Sequence, residues 1–321
     1  MEVLRDPLGN DDPPRGSVLS IGNFDSVHRG HQAVLSHVVK RAHALGVSAL
    51  AMTFDPHPIK LLRPADAPRL LTTLDQRLAL IARTGIETCL LVPFTHRVAR
   101  MSAENFVRDV LVQRLAVHEV YIGKNFRFGA DRIGDVELLT RMGDELGFQA
   151  ASSPIVEHGG GVVSSTRVRQ AVGEGKVEEA GGLLDRTVFI DGPVLEGKRL
   201  GRTLGFPTLN IDVENELKPD RGVYVTAVHI PSFDRTFPAV TNIGVRPTIY
   251  DNSLTTVESH LPDFTADVYR ERVRLFFLQR LREERTFDST TQLMAQIRLD
   301  VQTSRSYFEQ HPVDTLPLVL P

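Results

Sequence analysis

At 321 residues, 41% of them hydrophobic and 24% charged, the chain has the makeup of a globular protein with room for two domains. A formal net charge of −3 at pH 7 argues against broad nucleic-acid or membrane binding, which draws on a strongly basic surface. The single cysteine, Cys89, excludes an internal disulfide and any multi-cysteine metal site; within Cys89-Leu90-Leu91-Val92 it reads as a core residue. No run of ~18 apolar residues occurs, so no membrane span is expected. The start is acidic and prolyl without an apolar signal segment, and a cytoplasmic protein is expected.

Residues 1–16 read as a short, loosely held lead-in. From Ser17 to about Leu184, short apolar runs alternate with helix-period segments. Strands are predicted at Val18–Ile21, Ser48–Thr53, Thr88–Val92, Glu119–Ile122 and Phe148–Ser152. Helices are predicted at His31–Leu45, stopped by Gly46, and at Leu74–Thr84, Ala103–Leu115 and Asp135–Leu146, the last closed by Gly147. Such alternation predicts a parallel sheet with helices on both faces and ligands at the carboxyl ends of the strands.

The stretch Ile21–His31, I-G-N-F-D-S-V-H-R-G-H, joins the first strand to the first helix. Orphan N–H groups and the positive end of the helix dipole make such a junction a phosphate site. His28 and His31, three apart, add imidazole donors able to neutralise charge on a phosphorus under attack. Thr53–Pro58 (T-F-D-P-H-P) either aims His57 or a backbone group at a ligand or is a proline-stiffened turn with a surface histidine. Gly123–Gly129 (G-K-N-F-R-F-G) offers Asn125 as donor and acceptor, or is a basic surface loop with core aromatics. Behind Gly159-Gly160-Gly161, Ser164 or Ser165 caps a short helix reaching Val172. Alone, this first turn with Thr166 and Arg169 is an ordinary cap; beside the two histidines it becomes the second wall of a triphosphate site.

Gly22–His31 resembles the G-x-F-D-x-x-H-x-G-H signature of the HxGH nucleotidyltransferase superfamily, and Val163–Arg169 (V-S-S-T-R-V-R) resembles its I-S-S-T-x-I-R partner. With the two loops between them, this half is similar to the FMN adenylyltransferase module of bacterial FAD synthetases. The resemblance implies a Rossmann-like domain over residues 17–184. It implies that His28 and His31 bind the ATP phosphates and stabilise the transition state, with Arg169 as a further catalytic group. Ser165 and Thr166 would hold the β- and γ-phosphates with Arg169, Asn125 would meet substrate phosphate or flavin, and Gly22 and Phe24 would belong to the nucleotide site. Ser26 stands where the family usually has glycine, and a serine required at positive φ is strained.

Near Asp185 the pattern shifts to short alternating segments: Thr187–Ile190, Gly222–Ile230, Phe237–Ile243, Thr255–Leu261 and Arg272–Leu281. Strands punctuated by Gly and Pro predict a small antiparallel barrel over residues 185–310. A closing helix, Ser289 to about Tyr307, carries Leu293, Ile297 and Val301 on one face to plug or flank it. In Gly197–Asn210 (G-K-R-L-G-R-T-L-G-F-P-T-L-N), glycines with basic residues either wrap a polyphosphate with backbone N–H groups or form a hairpin loop; the order is not that of a Walker loop. Thr208 and Asn210, two apart, point to one side of an extended chain and offer neutral oxygens suited to Mg²⁺. Glu258, in T-V-E-S-H-L, is either a solvated strand residue or a base for an attacking hydroxyl.

This half resembles riboflavin kinase through Gly201–Asn210 (G-R-x-x-G-F-P-T-x-N), Gly222–Tyr224, Asn242–Thr248 (N-I-G-x-R-P-T), Glu258–Phe264 and Leu281–Phe287. The resemblance implies that Thr208 and Asn210 bind Mg²⁺ and ATP phosphate, that Glu258 activates the riboflavin 5′-hydroxyl, and that Gly201, Arg202 and Gly205 belong to the nucleotide site. Two positions depart: Leu209 replaces the alanine of P-T-A-N, and Arg270 the glycine of D-L-Y-G.

The order of the two halves is that of the bacterial bifunctional riboflavin kinase/FAD synthetases. That family implies conversion of riboflavin to FMN and of FMN to FAD and pyrophosphate, with ATP the donor in both and Mg²⁺ the cofactor. Another HxGH adenylyltransferase, for pantetheine phosphate or nicotinate nucleotide, leaves the barrel half unexplained. A flavin-nucleotide sensor without turnover sits poorly with retention of His28, His31, Arg169, Thr208, Asn210 and Glu258. Only small-molecule partners are expected, with no nucleic acid or membrane, for a monomer or weak homo-oligomer.

Overall fold

The computed structural model describes residues 1–196, 201, 204–246 and 254–319, in two compact units: Met1–Arg69 with Leu74–Ser164, and Leu70–Thr73 with Ser165–Pro321. In the first unit, six strands form a parallel sheet: β1 (Glu2–Leu4), β2 (Ser17–Ile21), β3 (Ser48–Asp55), β4 (Thr88–Pro93), β5 (Glu119–Ile122) and β6 (Gln149–Ser152). Their order is β1-β4-β3-β2-β5-β6, so the chain reverses direction across the sheet between β2 and β5. A ligand crevice forms at the carboxyl ends of the strands flanking such a reversal. The sheet buries Leu19, Leu50, Met52, Leu90 and Val120 completely.

The start of the chain is more ordered than the expected loose lead-in. β1 pairs in parallel with β4, Glu2 opposite Thr88, and Arg114 holds the following loop by donating to the carbonyls of Pro7 (2.7 Å), Gly9 (3.1 Å) and Asp11. A three-residue strand is too short to show a period, which is why the sequence conceals it. The helices α1 (Arg29–Leu45), α2 (Pro58–Leu62), α3 (Leu74–Ala82) and α4 (His96–Ala99) follow β2, β3 and β4 in the chain, and α1 packs on β2 and β3. The expected helix over 103–115 starts as α5 (Ala103–Asn105) and continues as a π-helix, Phe106–Arg114. Its buried set, Phe106, Val107, Val110 and Leu111, suits the wider turn as well as the α-helical one. α6 (Val136–Leu146) is capped by Asp135, whose Oδ1 accepts the Leu138 N–H at 3.0 Å.

On the α1 side of β5, buried Glu119 accepts two hydrogen bonds from Arg41, one of 2.9 Å from Nε, and one of 2.8 Å from the Tyr121 hydroxyl. The Arg41 hydrogen bonds outweigh desolvation and hold the Glu119 carboxyl below the usual carboxylate range.

The second unit opens with α7 (Ser165–Gly173) and α8 (Val177–Leu184) and continues into a closed antiparallel barrel. Its strands are β9 (Val188–Leu195), β10 (Thr208–Ile211), β11 (Gly222–Ile230), β12 (Arg235–Arg246), β13 (Leu254–His260) and β14 (Arg272–Arg282), in the order β10-β13-β12-β11-β14-β9. Five strands stand out from periodicity; the sixth, β10, lies in the Gly/basic stretch, where four residues of P-T-L-N-I carry little pattern. Asp191 and Arg274 form a buried bidentate pair (2.7 and 2.8 Å), with the guanidinium 4.1 Å from the Phe189 ring centroid. Inside the barrel, three fully buried hydroxyls on successive strands form a ladder, Thr226 to Thr241 at 2.7 Å and Thr241 to Ser259 at 2.8 Å.

The closing helix α9 (Thr290–Gln310) begins at the Ser289 cap. It docks with a partly polar face: Asp300 accepts from Arg282 (2.8 Å from Nη2), and the Ser304 hydroxyl donates to the Ala239 carbonyl at 3.3 Å. Leu293, Ile297 and Val301 are only half-buried beside them.

Candidate active sites

β2 ends at Ile21 and α1 begins at Arg29, so the first candidate site is the loop between them. The Val27 N–H donates to the Phe24 carbonyl at 3.1 Å, closing a four-residue turn whose third residue, Ser26, stands at φ 75°. Phe24 (φ 49°) and Val27 (φ 43°) are also left-handed. A glycine would relax the third position of such a turn, which agrees with the expected strain at Ser26.

His28 is the N-cap of α1: its Nδ1 accepts the His31 N–H at 3.3 Å, which puts the proton of the neutral ring on Nε2 and makes that nitrogen a donor. The His28 and His31 rings stack with centroids 3.7 Å apart, and the buried Phe24 ring meets His31 edge-on at 5.3 Å. A Cβ at Gly22 would lie 3.0 Å from the Phe24 ring, so the glycine admits the aromatic support beneath the imidazole pair. His57 is buried rather than on the surface, and its Nδ1 accepts the Ile59 N–H at 3.3 Å to cap α2. Asn125 is exposed on the loop after β5, while Phe128 packs against Phe106 in the core. α7 begins at Ser165; Ser165 and Arg169 are half-buried and Thr166 exposed, and the helix is grouped with the second unit while His28 and His31 belong to the first.

One residue that the motifs did not single out anchors the histidine loop. Arg77, on α3 and only 4% exposed, donates from Nη1 to the Asn23 carbonyl (3.2 Å) and from Nη2 to the Phe54 carbonyl (3.1 Å). The Thr53 hydroxyl donates to the same Asn23 carbonyl at 3.2 Å. Burial lowers the Arg77 pKa from its ordinary value.

The second site is built by register. Asn210 on β10 lies opposite Glu258 on β13, which lies opposite Asn242 on β12; two residues along, Thr208 faces His260. Val257 and Ser259 are buried, while Glu258 and His260 are half-buried, so this polar row lies on the outer side of the barrel. Facing residues on adjacent strands bring their Cβ atoms to about 4.5–5.5 Å. A Cβ at Gly201 would overlap the Phe206 carbonyl, whose own N–H donates to the Gly201 carbonyl at 2.7 Å, and Gly205 stands at φ 84°. These glycines therefore serve the turn that leads into Thr208. Lys198, Arg199 and Arg202, and Pro247 and Thr248 of the N-I-G-x-R-P-T stretch, lie outside the described residues.

Beside the row, His260 Nδ1 donates to the Pro207 carbonyl at 2.8 Å, and the His260 ring meets Phe206 edge-on at 5.5 Å. Both rings line a cavity of about 560 Å³ that also takes in Phe264 and, from α9, Arg298, Val301 and Arg305. Arg270, at the family's turn-glycine position, stands at φ 67° with its N–H donating to the Val194 carbonyl at 2.8 Å.

Comparison with known proteins matches both halves. A family described as FAD synthetase matches residues 10–167, and one described as riboflavin kinase matches residues 184–308. The bifunctional riboflavin kinase/FMN adenylyltransferase of Escherichia coli (strain K12) is 38% identical over 92% of this chain and 94% of its own length. The chain belongs to the bifunctional riboflavin kinase/FMN adenylyltransferase family. The Pseudomonas fluorescens member is 40% identical over 91% of this chain and 93% of its own. A crystal structure described as a macrolide-efflux protein from Streptococcus pneumoniae shares the fold, with a TM-score of 0.84 and 29% identity over 94% of this chain and 98% of that one. Among the described residues of the present chain, no helix is long and apolar enough to cross a membrane.

Proposed function

We propose that residues 185–310 phosphorylate riboflavin and that residues 17–184 adenylylate the FMN so made. The single observation that carries the kinase assignment is the register of Asn210, Glu258 and Asn242, a carboxylate flanked by two amides on the outside of the barrel. Glu258 takes the proton from the riboflavin 5′-hydroxyl as that oxygen attacks the γ-phosphorus of ATP, and ADP leaves. Thr208 and Asn210 hold the ATP phosphates, and Gly201, Arg202 and Gly205 contribute to the same nucleotide site. The side-chain oxygens of Thr208 and Asn210 are hard, neutral and two residues apart, which suits Mg²⁺, an ion that keeps few protein ligands beside phosphate oxygens. Bound there, Mg²⁺ would neutralise charge on the transferring phosphoryl group. The adjoining cavity, with apolar, aromatic and cationic walls, suits the flavin.

In the N-terminal domain, residues 17–184, an FMN phosphate oxygen attacks the α-phosphorus of ATP; a P–O bond forms to FMN, the bond to pyrophosphate breaks, and FAD results. His28, with its Nε2 proton, and His31 donate to the phosphate oxygens as charge builds, supported by the N-terminus of α1. Gly22 and Phe24 shape that loop, the latter meeting ligand through its backbone. Asn125 contacts the FMN phosphate or ring, and Ser165, Thr166 and Arg169 hold the β- and γ-phosphates. Positioning and charge neutralisation carry both steps without a covalent nucleophile, and burial pushes the Cys89 thiol up to about 12. The buried, unpaired thiol suits a reducing cytoplasm, and we take the enzyme to act there as a monomer or weak homo-oligomer.

The test is direct. Purified protein is incubated with riboflavin, ATP and Mg²⁺, and the flavins are resolved by chromatography. FMN followed by FAD is expected; FMN alone would confine activity to the barrel, and neither product would refute the proposal.

A further inference from the structure

A buried cation in a core usually neutralises a carboxylate at contact distance, because removing it from water is costly. Arg77 is arranged differently at its hydrogen-bonding atoms. Asp55 Oδ1 lies 3.9 Å away and Asp25 also acts on the guanidinium electrostatically, but the Arg77 Nε has no hydrogen-bond partner and the two terminal nitrogens donate to main-chain carbonyls. Those carbonyls, of Asn23 and Phe54, belong to the loop after β2 and the end of β3, the neighbouring strands beside the sheet reversal.

We propose that Arg77 is a positioning residue for adenylyl transfer: its guanidinium clamps the Asn23 and Phe54 carbonyls and thereby fixes the Phe24 amide and the histidine pair in their ligand-facing arrangement. This rests on the reading of the 22–31 loop as the ATP site. In a trans peptide the C=O and the next N–H point in opposite directions, so holding the Asn23 carbonyl toward α3 turns the Phe24 N–H away from it. The loop needs such an anchor. Phe24, Ser26 and Val27 all occupy left-handed backbone conformations, which persist only where surrounding contacts over-determine them. Two donors converge on the Asn23 carbonyl, Arg77 Nη1 and Thr53 Oγ1, both at 3.2 Å. A planar guanidinium bridges two carbonyls where a lysine ammonium is a point donor, so lysine restores the charge but only part of the clamp.

The experiment uses the full chain and follows FAD formation from supplied FMN, FMN formation from riboflavin in the same preparation, and thermal unfolding. Arg77→Met is expected to lower kcat for FAD formation by about 10-fold or more, with FMN formation within about 2-fold and the protein folded at the assay temperature. Arg77→Lys should recover part of the loss. Thr53→Val, combined with each Arg77 variant, should give a non-additive change in kcat, because both side chains act on one carbonyl. FAD formation within about 2-fold of the parent in Arg77→Met, or additive losses in the Thr53 cycle, would overturn the proposal. Where Arg77→Met fails to fold, the Arg77→Lys and Thr53→Val cycle decides it by the same criterion. Failure of the underlying reading looks different: the parent protein then makes no FAD, or His28→Ala makes it as fast as the parent. A His28-dependent enzyme indifferent to Arg77→Met sinks only the clamp.

Discussion

In the first unit, the two histidines proposed to meet the ATP phosphates occupy one stretch, Gly22–His31, where a strand of a parallel sheet ends and a helix begins. In the barrel, the candidate kinase groups are spread over Thr208, Asn210, Asn242 and Glu258 and meet only because β10, β13 and β12 lie side by side. The parallel sheet presents unpaired N–H groups at a helix terminus, so few side chains are needed to hold an anion there. The outer side of a closed barrel has no such ends to offer; its polar row must come from side chains in register. The cost of building each site also falls differently. The loop site concentrates left-handed residues at Phe24, Ser26 and Val27, whereas the row lies on regular strands and its unit's strain sits in turns such as that of Arg270.

The sharpest way to break this division is a pair of substitutions with opposite outcomes. Glu258→Ala should lower FMN formation by about 10³-fold while FAD synthesis from supplied FMN continues unchanged. His28→Ala should lower FAD synthesis by about 10²-fold and spare FMN formation. Both are read by chromatography of the flavins, and loss of both products in either variant would undo the assignment of one site per unit.

The local pattern made the loop site legible, since two histidines at a helix start carry their chemistry in adjacent letters. The parallel sheet was legible for the same reason: β2 to β5 each carry a short apolar run. What stayed hidden was whatever depends on distant residues meeting. Arg77 looks like an ordinary helix cation until α3 brings it beneath two carbonyls far from it in sequence. Asn242 gains its place beside Glu258 only through pairing of β12 with β13, and β10 is too short to show a period. His57 left two readings open on the residues; the fold gives it a third, as the buried cap of α2.

Smaller effects sharpen the contrast in strain. Ser26→Gly and Arg270→Gly should each relieve a left-handed residue by about 1 kcal/mol. Calorimetry should then show the melting midpoint of the unit concerned rise by about 2–4 °C. An unchanged midpoint for Ser26→Gly, with Arg270→Gly raised, would mean that the loop is held so firmly by its surroundings that its backbone costs little.

The smallest expected effect concerns acid stability of the first unit. The Arg41 hydrogen bonds depress the Glu119 pKa in the folded state, so this carboxylate stabilises the fold fully above its unfolded pKa and loses that contribution as pH falls through the folded one. Thermal melts of Glu119→Gln should accordingly fall less steeply than those of the parent below the ordinary carboxylate range. Parallel curves for the two proteins would remove Glu119 from the acid-sensitive groups.

The hydroxyl ladder of Thr226, Thr241 and Ser259 has a consequence for this division of labour. Side chains alternate along a strand, so sliding β13 by one residue would drive Glu258 into the barrel and turn Val257 and Ser259 out to water. A core of hydrocarbon alone would accept many alignments at similar cost. Three hydroxyls that can satisfy one another in only one alignment leave unpaired polar groups in every other. The ladder thus works as a parity check on the strand, and the side on which Glu258 emerges is decided from within the barrel.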